Sequence, residues 1–337
     1  MRQALRLVSL SLIVLLPRVA AAVDIPTIYD NAHPYPIGSR AAGMAGAYTA
    51  LACDEAALHY NPAALACSSS SRLELTANAY VIDSMSVPNA FGKGQDVSAT
   101  TYHGIPSIVG GVRVLRDGDA DGSGRVVFGL SVEVPRSLAL RADPSTPSKP
   151  NYVAVRVRDD LTTGDVGVAY QFNRYFSMGL SLGVGLRTFE SRQDELLTDP
   201  FRSPCVLPEG CFGFIQGTTD VEGLAVGGRA KLGFRLAPSE ALSFGLSVVS
   251  PTVDMYGTST LVQTLSVAVP TAGNIVYGPI PARLNGSSDL SLPLSLTVGA
   301  AYTGARFKLA LDASLAFPRA VHVAYDFEQQ PIEGIAP

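Results

Sequence analysis

Few residues in this 337-residue chain are placed for covalent chemistry. The His residues stand at 33, 59, 103 and 322, and no Ser-His-Asp arrangement assembles from that spacing. His59 is expected to pack rather than to catalyse. The run DGDADGSG at 117–124 opens like a calcium loop, with carboxylates at alternate positions. Its twelfth position is Phe128, where such a loop needs a bidentate Glu, so it reads as a polar turn. Four Cys lie at 53, 67, 205 and 211, with no His at ligand spacing from them. Proximity pairs Cys53 with Cys67 and Cys205 with Cys211, one of three possible connectivities. These observations predict neither enzyme, metal site nor cofactor. The net charge of −4 argues against a nucleic-acid partner.

The elements that must position these residues point to a membrane. Residues 1–22 read as a cleaved export signal: Arg2 and Arg6, an apolar core over 7–16, Pro17, then Ala20-Ala21-Ala22. That core is too short to span a bilayer, which takes about 20 apolar residues. Charged residues are only 16% and mean hydropathy is +0.23, yet no later apolar run approaches the length of a membrane helix. An exported, hydrophobic chain without a membrane helix is solved by a transmembrane β-barrel.

From residue 72 the apolar residues alternate. Met178, Leu180, Leu182, Val184 and Leu186 share one strand face; Ser177, Gly179, Ser181, Gly183 and Gly185 share the other. Leu290 to Val298 and Phe307 to Phe317 repeat the pattern. About nine strands follow, near 72–82, 106–116, 125–135, 152–172, 175–189, 220–236, 241–250, 290–302 and 306–317. A change of apolar parity within 152–172 predicts a bulge there. Short connections at 117–124, 173–174, 237–240 and 303–305 alternate with long ones near 83–105, 136–151, 190–219 and 251–289, the loop pattern of outer-membrane barrels. A Lys or Arg facing lipid costs about 2–4 kcal/mol at mid-depth, so Glu133, Arg187, Arg229, Lys231, Lys308 and Asp312 are assigned to the lumen. Nine is odd where such barrels are even, which predicts a C-terminally truncated piece, with 318–337 an incomplete loop or end. The domains are therefore 1–22 signal peptide, 23–71 plug and 72–317 barrel.

The plug is read from GSRAAGMAGAYTALACDEAALHYNPAALA, ahead of the first strand. Gly43 and Gly46 permit close backbone approach, Asp54 is placed to N-cap a short helix through His59, and Asn61-Pro62 stops it. A lumen lined by Gly, Ser and Ala has room for such a compact segment.

This stretch resembles the N-terminal hatch of the FadL-type outer-membrane transport family, which carries long-chain fatty acids and, in some branches, aromatic hydrocarbons. Asn61, Pro62 and Ala63 match its Asn-Pro-Ala element, and Asp54 with Glu55 its acidic pair. VFGLSVEVP (127–135), LSFGLSVVSP (242–251) and LPLSLTVGAAY (292–302) are similar to its strands. Arg136-Ser137 after Pro135, and Val248-Val249, depart from its pattern. The resemblance implies a fourteen-stranded, monomeric barrel in the outer membrane, in contact with its lipids. It also implies passive uptake of a hydrophobic small molecule through a groove formed by the long loops, then a pocket beside the hatch. Lateral release would follow a hatch shift and a kink at Pro135, with Gly43, Gly46 and Pro62 as pivots. A secretion-associated or structural barrel with the same hatch is the alternative.

Overall fold

Alternation of large and small side chains over long stretches forces extended backbone with two unlike faces. The computed structural model describes residues 36–87, 97–120, 122–142, 152–198, 214–269, 275–317 and 325–328. The expected leader, Cys205, Cys211 and most of 318–337 lie outside the described residues. Among those described, no helix is long and apolar enough to cross a membrane. The described chain is instead one antiparallel sheet. Its strands are β1 (Arg72–Val87), β2 (Val97–Arg116), β3 (Arg125–Ala142), β4 (Tyr152–Gln171), β5 (Phe176–Thr198), β6 (Phe214–Leu236), β7 (Leu242–Val249), β8 (Val253–Val269), β9 (Ile275–Ser288), β10 (Ser295–Thr303), β11 (Lys308–Ala316) and β12 (Tyr325–Glu328).

Neighbours in sequence pair along β1 to β7, and the path then runs to β10 and β11. Its ends, β1 and β11, do not pair, so the sheet is open among the described residues. β8 pairs with β6 and β9, and β9 also with β12. β5 and β6 have 23 residues each, more than the roughly 9–11 that a strand needs to cross a bilayer.

Twelve strands replace the expected nine, because the expected loop 251–289 holds two, β8 and β9, and the expected end 318–337 holds one, β12. β8 continues β7 past Pro251: Ser250 N donates to Ala230 O (2.8 Å), and Ala230 N donates to Ser250 Oγ (2.9 Å). A hydroxyl thus carries the β6 ladder across the proline. The tight turns do lie at one end. Between β4 and β5, Asn173 Oδ1 accepts the amides of Tyr175 (2.8 Å) and Phe176 (2.9 Å). The acidic run after β2 is such a turn, with Asp119 N donating to Ser123 O (2.8 Å) and Gly122 N to Asp119 O (2.7 Å).

The bulge expected in the fourth strand is in the third. β4 pairs with β5 without interruption, whereas β3 shifts register against β4 between Glu133 and Arg136, at Pro135. In β4 the odd positions Val157, Asp159, Leu161, Thr163, Asp165 and Ala169 are all buried. The parity change marks a change in the inward face, apolar above and polar below, rather than an extra residue. β2–β3 pairing also ends at Ile108↔Glu133, while β2 continues on β1 to Val97 and β3 on β4 to Ala142. The sheet therefore divides between β2 and β3 beyond Glu133.

Leu180, Leu182, Val184 and Leu186 are 40–59% exposed, and Leu309, Leu311 and Leu315 more than half exposed. The opposite face is covered by residues 37–68: α1 (Ser39–Gly43), α2 (Ala57–Tyr60) and a 3₁₀ turn, Pro62–Cys67. The largest buried cluster joins Leu58, Ala64 and Leu65 of that segment to Ile108, Val112, Val127 and Ala169 of the wall.

Candidate functional site: the docked N-terminal segment and the inner face above it

The segment docks where the strands lack side chains. A Cβ on Gly179 of β5 would fall on the Pro62–Ala63 backbone, and one on Gly233 of β6 on Asn61 Oδ1. Asn61 is fully buried and bridges three places: Nδ2 donates to Thr49 O (3.1 Å) and Phe234 O (2.9 Å), and Oδ1 accepts Ala63 N (3.1 Å). Ser177 Oγ donates to Ala63 O (2.9 Å). Asp312 Oδ2 accepts the Tyr48 and Thr49 amides, both at 2.9 Å. The disulfide Cys53–Cys67 closes the segment on itself.

Asp54 does not cap a helix. The N-cap of α2 is Ala56, with no side-chain cap bond. Asp54 Oδ2 is held by the Tyr48 hydroxyl (2.6 Å) and lies 3.5 Å from Arg40 Nη1. Burial, then the Asp54 charge, raises the Tyr48 phenol; burial raises Asp54, opposed by the Tyr48 hydrogen bond and Arg40. Glu55 sits 3.6 Å from Arg72 Nε, and burial, with Asp54 and Glu74 adding negative charge, pushes its carboxyl up to about 7.

A buried charged network lies above the docked segment. Glu133 Oε1 is 2.7 Å from His59 Nδ1, accepts Thr163 Oγ1 (3.0 Å), and lies 3.9 Å from Arg229. Arg229 also approaches Asp165 (3.8 Å), as does Lys231 (3.9 Å). Lys231 Nζ donates to the carbonyls of Leu58 and His59, tying α2 to β6. Two cations face two carboxylates, so the group balances formally, as buried charges must. Farther up, fully buried Asp159 accepts from Arg136 (2.9 Å) and Arg187 (2.9 and 3.0 Å). Around and beyond it the inner face turns apolar. Leu161, Ala225 and Leu290 pack together, and Val157, Phe189, Val221 and Leu261 are buried nearby along the strands.

The predicted residues thus fall into separate places. Asn61, Pro62 and Ala63 form the docking element; Glu133, Arg229 and Lys231 converge; Arg187 belongs to the Asp159 group; Asp312 holds the segment's amides. Pro135 is buried at the β3 register shift. Gly46 has φ +84°, whereas Gly43 is exposed at the end of α1. Lys308 is exposed at the short-turn end, away from the other charges. Leu290, expected on the outer apolar face, is 2% exposed and turned inward, because residues 289–294 leave the strand: Leu290 N donates to Asp254 Oδ1 (3.0 Å) and Leu292 N to Thr252 Oγ1 (3.2 Å). Sequence reasoning missed Asp159, Asp165 and Arg136. The period-two register that places Thr163 and Asp165 on one face was the available signal.

A sheet with an apolar outer face and a compact segment docked on its inner face is the architecture of a β-barrel wall that carries a segment on its inner side. No protein-family model and no curated protein matches the chain. Among solved structures, it is similar to the Pseudomonas putida toluene transporter TodX, at 18% identity and TM-score 0.58, covering 85% of this chain and 70% of that one. A second TodX structure gives 20% and 0.56 with the same coverage. The Ralstonia pickettii toluene transporter TbuX gives 18% and 0.51, covering 84% and 72%. These are FadL-type proteins, and the chain has their fold.

Proposed function

We propose that this protein takes up hydrophobic small molecules across the outer membrane, passively and without catalysing a reaction. In this reading residues 23–71 form the hatch, 72–317 the barrel wall, and the protein acts as a monomer surrounded by outer-membrane lipid. The observation that carries the proposal is the layering of the inner face: an apolar surface around Leu161, Phe189, Ala225 and Leu290 above a charged network and a docked segment. Apolar cargo gains about 0.8 kcal/mol per buried CH₂ on such a surface. The charged layer gives it nothing, so straight passage downward is opposed. The division between β2 and β3 at the Pro135 bulge offers a sideways path, since a strand edge free there need not be broken open. Release follows movement of the hatch, which is held by discrete bonds at Asn61, Lys231 and Asp312.

Uptake of labelled oleate and labelled toluene by cells lacking their own hydrophobe channels tests this. The full chain is expected to raise uptake of at least one probe several-fold. Deleting 38–66 is expected to change that rate, and Pro135→Val, which restores a ladder donor, to lower it. Cells expressing the folded, membrane-inserted chain that take up neither probe above control would overturn the proposal and favour a secretion-associated or structural barrel.

A further inference from the structure

Outer-membrane barrels turn their short connections toward the periplasm. At that end a cavity of about 1120 Å³ lies between the docked segment and the turns that follow β4, β6 and β10. Its charge runs against that of the chain, which is −4 overall. Arg40, Arg174, Arg235 and Lys308 line it, against one carboxylate, Glu240. Arg40 is answered by Asp54 at 3.5 Å, and the other three have no ion pair among the described residues. Those three are spread out. Strand register sets Arg235 level with Asp312, through Gly245 and Gly299. Ser177 is the partner of Arg235 on β5; Arg174 lies nearer the turns than Ser177, and Lys308 nearer than Asp312. At about 3.3 Å per residue, Arg235 stands roughly 10–13 Å deep, and the other two form the rim. Between β5 and β11 the sheet runs through β6, β7 and β10, so the rim cations are about 19 Å apart along it. Arg174 and Lys308 are exposed, whereas Arg235 is half-buried, its Nε enclosed without a hydrogen-bond partner. A guanidinium nitrogen enclosed in this way is costly unless an acceptor reaches it.

We propose that this basic cavity receives an acidic, extended segment of a periplasmic protein, with carboxylates reaching both its rim and its floor. No single carboxylate or phosphate spans Arg174, Arg235 and Lys308 at these separations. An extended chain rises about 3.3 Å per residue, so roughly six residues cover the rim, and alternate side chains point down toward Arg235. The two guanidinium groups bind carboxylates through paired, charge-assisted hydrogen bonds, and Lys308 adds a mobile point charge. Met44 and Leu51 give apolar side chains of such a segment a wall to lie on. Rim charges of one sign steer a partner and select it more than they add to its affinity. The proposal goes beyond the uptake reading and does not depend on which molecule is carried.

The full chain, in non-ionic detergent at low salt, is titrated into a fluorescein-labelled peptide, DLEDLE, and into its amide counterpart, NLQNLQ, with anisotropy as the readout. DLEDLE is expected to bind at least about tenfold more tightly, a difference of about 1.4 kcal/mol. Most of that margin should vanish at about 1 M salt, where the screening length is about 3 Å. Arg174→Gln and Lys308→Gln lie at exposed positions, leave the packed interior untouched, and are each expected to weaken DLEDLE about threefold. Arg235→Gln should weaken it about tenfold. NLQNLQ should respond to none of these, and Arg156→Gln, exposed toward the far end of β4, should change neither peptide. Equal affinities for the two peptides, or DLEDLE binding indifferent to all three cavity substitutions, would overturn the proposal. Displacement of DLEDLE by millimolar inorganic phosphate at matched ionic strength would also overturn it, by giving the cavity to a small anion. So would binding that appears only after removal of 23–35, a stretch with Asp24 and Asp30 that would then be the occupant. Uptake of oleate or toluene by cells is independent of each of these outcomes.

Discussion

Asn61 shows how one side chain can hold a segment against a wall. Its amide serves the docked segment at Thr49 and Ala63, where both contacts are buried, and the wall at Phe234, where the contact is partly buried. Asn61→Ala removes the bridge and leaves buried carbonyls without a donor, at about 1–3 kcal/mol. The expected outcome is faster proteolysis and faster amide exchange across 45–66 with the strands unchanged; equal exchange in variant and parent would refute the bridge. Glu55 brings pH into the same segment. Its carboxyl is raised to about 7 by burial, with Asp54 and Glu74 opposing its charge and a backbone hydrogen bond favouring it; Arg72 lies 3.6 Å away. The folded state therefore holds a proton that the unfolded state has lost between about 4.5 and 7, and docking weakens as pH rises through that window. Protection of 54–60 should be greater at pH 5 than at pH 8, and Glu55→Gln should abolish the difference. The Asn61-Pro62 element was legible as a stop and turn. The shift at Glu55 was not, because Glu74 on β1 and the close approach of Gly110 on β2 create it.

At the scale of elements, the small residues on the inward strand faces mark the docking footprint. Gly233 has no room for a side chain, whereas Gly217, farther along the same β6, faces open space. Gly233→Val should undock the segment and lower the unfolding midpoint, while Gly217→Ala should stay within about 0.5 kcal/mol of the parent in chemical denaturation. If both behaved alike, the glycines would be a compositional habit of the strand rather than a fitted surface. The alternation of β5 was readable directly, since Met178, Leu180, Leu182 and Val184 are each followed by a Ser or Gly. β8 and β9 were not, because the strand read over 241–250 stops at Pro251 and 251–289 reads as a long loop. Ser250 restores the ladder around that proline. The bulge expected within 152–172 is absent, because a parity change in one strand looks the same whether a residue is inserted or the inner surface changes polarity.

For the whole molecule, the exposed apolar band sets the solvent. Leu182 is 59% exposed on the outer face of β5, a cost in water and a gain in hydrocarbon. Leu182→Lys should destabilise the protein in phospholipid vesicles by about 2–4 kcal/mol, read from denaturant-dependent folding. A neutral or stabilising effect there would place this face in water and remove the membrane reading.

Taken by itself, the sequence determined that the chain is built of strands with one greasy and one small, polar face, and that a compact Ala/Gly segment with Asn-Pro-Ala precedes them. Those properties are local, written in period two and in the chemistry of Asn, Pro and Gly. Only the tertiary structure decided which charges meet. Glu133 lies 74 residues from His59, and Lys231 reaches back 173 residues to the Leu58 carbonyl. Strand register and the docking of the segment set such encounters, and neither is encoded at the positions that meet.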